Sequence, residues 1–179
     1  FPYTTLFRSY FCLRDGKRLA QVRADARDNE PCLTNPDVLR IVTEAVLKEI
    51  EANPDAANIS VSQNDNAKNC LCSACAAIDQ REGTPMGSLL TLVNAVADVV
   101  AEKHPDVMVG TLSYWYTRKP PKTIKPRPNV QIQLCSIECC LIHAINDPNC
   151  PRNVEFFRDM TEWGKICNQI YVWNYNTNF

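Results

Sequence analysis

Two carboxylates, a run of amides and five aromatic side chains have the types and positions needed to act on a small polar ligand. Asp65 and Glu138 each follow an alternating, strand-like segment, and Gln63, Asn64 and Asn66 surround Asp65 in the stretch ISVSQNDNAKNCLCSAC from Ile59 to Cys75. Two carboxyl groups facing across a cleft are the minimum for glycoside hydrolysis. One serves as acid, the other as base or nucleophile, and their separation sets the stereochemistry. A plainer role fits the same spacing: Asp65, between two asparagines, can order its own loop, and Glu138 can bond nearby backbone. Tyr114, Trp115, Tyr116, Trp173 and Tyr175 cluster at two other strand ends. A flat ring with a polar edge stacks on the C–H face of a sugar and bonds its hydroxyls. Any one of these rings alone would more often be packing, so it is their common position that favours a ligand.

Cys70, Cys72 and Cys75 put three soft donors in one tight loop. A structural zinc site needs a fourth, and Cys32, Cys139, Cys140 or His143 could supply it. One disulfide inside the loop beside a free thiol fits the spacing equally well. In both cases the expected role is to fasten a long loop next to the site. The chain has only His104, before a proline, and His143, in a loop, and it shows no Ser-His-Asp set, phosphate loop or dinucleotide fingerprint. The expected chemistry therefore requires no cofactor.

The elements that must hold these residues alternate. Thr34-Asn35-Pro36 caps a helix over 36–52, with Val38, Leu39, Ile41, Val42, Ala45, Val46 and Ile50 at helical spacing. A strand over 58–63 follows, then a cysteine loop extending to Gly83 and a second helix over 86–103. Val107 to Ser113 reads as a strand buried on both faces. Thr117 to Pro128 is proline-rich and has no helical pattern. Strands over 129–135 and 169–173 flank a third helix over 153–167. Before all of these, the Asp15-Gly16 turn ends a short extended piece, and the polar segment to Pro31 reads as loop.

Strands separated by helices imply a parallel sheet with helices outside. Alternation places Ser60 and Ser62, Gln131 and Gln133, or Tyr171 and Trp173 on one face and aliphatic residues on the other. A polar inner face beside a helix-covered aliphatic one predicts the α/β class. Specifically, it predicts four consecutive strands of a (β/α)8 TIM-type barrel, roughly its second half short of the last strand, with the rest of the barrel outside the visible chain. In such barrels ligands sit at the carboxyl ends of the strands.

With 179 residues, 45% hydrophobic and 22% charged, the chain is long enough for one domain with a real core. A formal net charge of −1 removes the general case for nucleic acid or a polybasic membrane surface. The basic run Arg118 to Arg127 reads as a solvated loop. No apolar run reaches the roughly 18 residues that span a bilayer. Phe1 to Ser9, FPYTTLFRS, looks like the translation of a sequencing adapter and is left out of the fold reading.

SVSQNDN followed by the three cysteines, GSLLTLVNAVADVVAEKHPDVMVGTLSYWYTRKPPK, PRPNVQIQLCSIECC and YVWNYNTNF together resemble a bacterial family, domain of unknown function 4838, over residues 10–179. The resemblance implies a barrel related to those of glycoside hydrolases, in secreted or cell-surface proteins of polysaccharide-degrading bacteria. By position in related barrels, Asp65 follows the fourth strand, Glu138 the sixth, and Trp173 and Tyr175 the seventh. The expected function is a carbohydrate-active barrel, with Asp65 as general acid and Glu138 as its partner. Gln63, Asn64 and Asn66 would bond the sugar and Tyr114, Trp115, Trp173 and Tyr175 would serve as platforms. The alternatives are a barrel that binds glycan without cleaving it and an inactive fragment.

Overall fold

The computed structural model describes residues 7–18 and 30–175. Most of the adapter-like start, the polar segment over 19–29 and Asn176 lie outside the described residues. The described chain begins with a 3-10 turn, Arg8–Tyr10, and a small antiparallel hairpin of β1 (Leu13–Arg14) and β2 (Lys17–Arg18). Its turn is the expected Asp15-Gly16, both at positive φ, where aspartate and glycine are tolerated.

Then come α1 (Pro36–Ala52), β3 (Asn58–Ser60), α2 (Ser73–Glu82), α3 (Met86–Lys103), β4 (Met108–Ser113), β5 (Val130–Cys135), α4 (Pro151–Gly164) and β6 (Ile170–Trp173). β3, β4, β5 and β6 pair in that order, all parallel, in one sheet. This is an α/β architecture consistent with part of a barrel. Register decides the faces. Ile59 pairs with Val109, Val109 with Val130, Ile132 with Ile170 and Leu134 with Val172, so the aliphatic side chains share one face. That face packs on Val46 and Ile50 of α1, Leu89, Val93 and Val96 of α3, and Phe156 and Trp163 of α4. Phe156 and Trp163 are fully buried, and each large side chain of this kind contributes about 1.5–3 kcal/mol.

Local sequence explains the helices. Asn35 caps α1 by accepting from the Asp37 and Val38 amides at 2.9 and 3.2 Å. Gly83 closes α2 at φ 72°, a left-handed conformation that glycine adopts freely.

Several expectations are corrected. The cysteine loop does not run to Gly83, because its second half is α2, built on Ala74, Ala76 and Ala77. The strand over 58–63 narrows to Asn58–Ser60, with Val61 still donating to the Gly110 carbonyl at 2.8 Å. β4 is not buried on both faces, since Met108 and Leu112 are partly exposed on the polar side. The third helix lies two to three residues earlier than expected, with Pro151 as its first residue.

The proline-rich segment does cross from β4 to β5 without a helix, but it is not merely solvated. Glu82, fully buried, accepts from Thr123 N and Thr123 Oγ1, both at 2.7 Å, and from Ile124 N at 3.2 Å. Asn94 of α3 bonds Lys125 O and Arg127 N, and Arg127 pairs with Asp98 at 2.7 Å. These bonds take the place of a helix's own ladder.

Candidate functional site

The carboxyl ends of all four parallel strands open onto one cleft of about 550 Å3. Gln63, Asn64 and Asp65 enter it after β3, Tyr114 after β4, Gln133, Cys135 and Ile137 on and after β5, and Trp173 and Tyr175 at the end of β6. The polar face of the sheet forms its floor. On the same face nearer the amino ends of the strands, a Cβ at Gly110 would come within 2.8 Å of Asn58 Oδ1, and without one Asn58 reaches across β4 to Gln131 Oε1 at 2.8 Å.

Asp65 does not order its own loop. Tyr114 Oη donates to Asp65 Oδ1 at 3.0 Å, tying the end of β3 to the end of β4. Burial, then the bond to Asp65, then the charges of Asp65 and Glu138 push the Tyr114 phenol up to about 12, so it remains a donor. Asn66 takes the loop-forming role. It is buried, its Oδ1 accepts from Lys68 N at 2.8 Å, and it lies off the cleft. Glu30, which carries no motif, completes the brace by accepting from Asn64 N at 2.8 Å.

Trp115 stands beside Tyr114, rings edge-on at 6.2 Å, half-exposed and at φ 52°. It is outside the cleft lining. The Tyr114 amide donates to Thr117 Oγ1 at 3.2 Å and Thr117 N returns to Tyr114 O at 3.0 Å, which holds this tight turn. Two carboxamide donors in the cleft, Gln63 Nε2 and Gln133 Nε2, are buried with no hydrogen-bond partner among the described residues. Orphaned donors of this kind are uncommon, and both atoms are shut off from the cleft by the side chains around them. Cys135 is no nucleophile here: burial pushes its thiol up to about 11, so it stays protonated.

Glu138 is placed differently from Asp65. Its Oε2 accepts from Arg118 Nη1 at 3.2 Å, and it does not line the cleft. Arg118 in turn donates through Nε to the buried Asp159 at 2.8 Å. The expected carboxylate pair is therefore one member in the cleft, bonded to the Tyr114 hydroxyl, and one held by a guanidinium off the cleft lining. A second groove, of about 580 Å3, lies between α1, α3 and β3; it is lined largely by aliphatic side chains and carries none of the strand-end carboxylates.

The cysteines gather at a separate place. Cys32 joins Cys70, Cys72 and Cys75, all four buried, with their sulfurs within 4.8 Å of one another. Cys32 and Cys72 Sγ are 3.6 Å apart. Donors surround them: Leu13 N reaches Cys70 Sγ at 3.3 Å, Thr34 Oγ1 lies 3.3 Å from Cys75 Sγ, and Arg18 Nη1 is 3.9 Å from Cys70 Sγ. Hydrogen bonds from Cys70 and then Cys75 hold the Cys32 thiol well below the ordinary range, while the contact with Cys32 pushes Cys75 up. Four such thiols could hold a metal ion, and all ten cysteines stand as free thiols.

A family described as a domain of unknown function, DUF4838, matches residues 1–179. The chain belongs to this DUF4838 family. No curated protein and no solved structure matches it. Within this DUF4838 chain, no single helix among the described residues is long and apolar enough to cross a membrane.

Proposed function

We propose that the cleft binds carbohydrate, and that Asp65 and Glu138 are the carboxyl groups through which it would hydrolyse a glycosidic bond. The observation that carries the proposal is the convergence of Gln63, Asp65 and Gln133 with Tyr114, Trp173 and Tyr175 on one cleft at the carboxyl ends of the strands. A sugar suits such a lining, with hydroxyls for the polar side chains and C–H faces for the rings. Asp65, fixed by the Tyr114 hydroxyl, supplies the first carboxylate of a hydrolytic pair. Glu138 supplies the second, with Arg118 setting its position.

A second reading, binding without cleavage, is favoured by that same ion pair. A carboxyl group paired with Arg118 lies off the cleft lining, so it is poorly placed to reach a bound sugar.

The donor set of Cys32, Cys70, Cys72 and Cys75 fits a tetrahedral thiolate site, and we assign it to structural zinc. The ion would balance charge that four buried thiolates cannot carry alone and would join the hairpin segment to the loop that leads from Asp65. It has no part in the proposed hydrolysis.

The test is a glycan panel read for binding through tryptophan fluorescence and for released reducing ends, with Asp65→Asn, Glu138→Gln and Trp173→Ala in parallel. Turnover abolished in both carboxylate variants supports the hydrolase. Binding without turnover, weakened in Trp173→Ala, supports the binder. A panel in which Trp173→Ala and Asp65→Asn change nothing sinks both.

A further inference from the structure

The loop between β5 and α4 gathers a second set of soft ligands, separate from the four-cysteine cluster. Cys140 Sγ, a ring nitrogen of His143 and Cys150 Sγ lie within 4.8 Å of one another, and Cys140 Sγ stands 3.3 Å from His143 Nδ1. Zinc–sulfur and zinc–nitrogen bonds of about 2.3 and 2.0 Å place neighbouring donors on a tetrahedral ion roughly 3.3–3.8 Å apart. The three atoms are therefore close to ligating positions without rearrangement of the backbone.

The loop is held ready by one side chain. Asn153, fully buried, accepts from Cys140 N at 2.8 Å through Oδ1. Its amide donates to the carbonyls of Cys140, His143 and Ala144 at 3.1, 3.1 and 3.0 Å. Both ends of the Cys-x-x-His turn are thus fixed by Asn153. Cys150 is buried at the N-cap of α4, whereas His143 is exposed. Cys140 is half-buried and His143 exposed, so solvent reaches this set of donors.

We propose that Cys140, His143 and Cys150 bind a divalent ion of zinc type through two thiolates and one imidazole, leaving one coordination position open to water or to an exogenous donor. Binding adds the ion, releases both thiol protons to solvent and changes no oxidation state. The same loop carries Ile137 into the cleft wall and Glu138 to Arg118, so the bound ion would stiffen that wall. The inference does not rest on the carbohydrate proposal. A disulfide between Cys140 and Cys150 is the competing fate of these two sulfurs.

The test uses the full chain, reduced and freed of metal, then reloaded with zinc for elemental analysis and with cobalt for absorption spectroscopy. Wild type is expected to bind one equivalent more than His143→Ala or Cys140→Ser, each variant keeping the wild-type circular dichroism. Cys72→Ser is expected to lose the four-cysteine share of the thiolate-to-cobalt band and to keep a remainder that the added His143→Ala removes. Unchanged metal content in both His143→Ala and Cys140→Ser overturns the assignment. So does a Cys140–Cys150 bond, found by peptide mass, in protein purified without added oxidant.

Discussion

Glu30 is 4% exposed and braces the loop that presents Asp65, yet it is an acid in a place that resists charge. Burial raises its pKa from 4.5 to about 7, against the opposing bonds from Asn64 and Asn66. Between those values the folded chain keeps a proton that the unfolded chain has lost. Stability therefore falls as pH rises from about 4.5 to about 7 and stays lower above that window. Glu30→Gln keeps an acceptor for Asn64 N and removes the charge. It is expected to flatten this slope and to raise stability above pH 7 by on the order of 2 kcal/mol. Urea unfolding of both proteins across the window checks this, and parallel curves would refute it. Asp65, Tyr114 and Trp173 were legible in the sequence because each follows a strand pattern. Glu30 was not, since it meets Asn64 across 34 residues from a polar stretch with no period. Nor does any sequence rule decide that Asp65 takes a tyrosine hydroxyl while Asn66, one residue on, folds the loop.

Arg118 joins three elements at the end of β4. Its side chain pairs with Asp159 of α4 and with Glu138 after β5, while its carbonyl accepts from Ser113 Oγ and Trp163 Nε1, both at 2.8 Å. Asp159 is buried, and without the guanidinium its remaining ion pair among the described residues is the looser one with Arg158 at 3.9 Å. Arg118→Leu is expected to cost about 3–5 kcal/mol, and Arg118→Leu with Asp159→Leu distinctly less. Denaturant midpoints decide it: a single variant as stable as wild type removes Arg118 from this role. Glu82 does similar work for the proline-rich crossover. Burial raises its pKa, but the Thr123 hydroxyl and amide, Arg81 and the Ile124 amide outweigh that and lower it to about 2. Its contribution is thus complete above about pH 4.5 and is lost as pH falls through about 2. Glu82→Gln is expected to cost about 1–3 kcal/mol at neutral pH and to narrow that gap in acid, measured by thermal melts at both pH values. α1 and α3 were legible because a cap and a long apolar stripe announce them. α2 was hidden, for it buries only Cys75 and Glu82 and so shows little stripe. The basic run appeared solvated because its carboxylate partners, Asp98 and Asp159, lie far from it in sequence.

At the scale of the molecule, the described hairpin segment and the parallel sheet meet at the four cysteines. Cys12 is fully buried against the cluster, Leu13 O accepts from Leu71 N at 2.9 Å, and Arg14 Nη1 reaches Asn69 Oδ1 at 3.1 Å. Leu13 N and Arg18 Nη1 also reach Cys70 Sγ, and Cys32 N bonds Tyr10 O, but such hydrogen bonds contribute only about 1 kcal/mol each. The ion proposed for Cys32, Cys70, Cys72 and Cys75 would therefore add a strong fastening between the segment and the loop that leads from Asp65. A ligand a thousandfold above its Kd adds about 4 kcal/mol to the folded state. Removing zinc with a chelator, or replacing Cys72 with serine, should thus lower the melting temperature and open the chain to protease around residues 10–18, 30–35 and 64–75 first. The helices that cover the sheet should stay protected, because their burial does not depend on the cluster. Limited proteolysis with mass analysis reads this directly. Cleavage spread evenly over the chain would mean that the cluster supports the whole core, and no change on chelation would mean that the four thiols hold the segment without a metal.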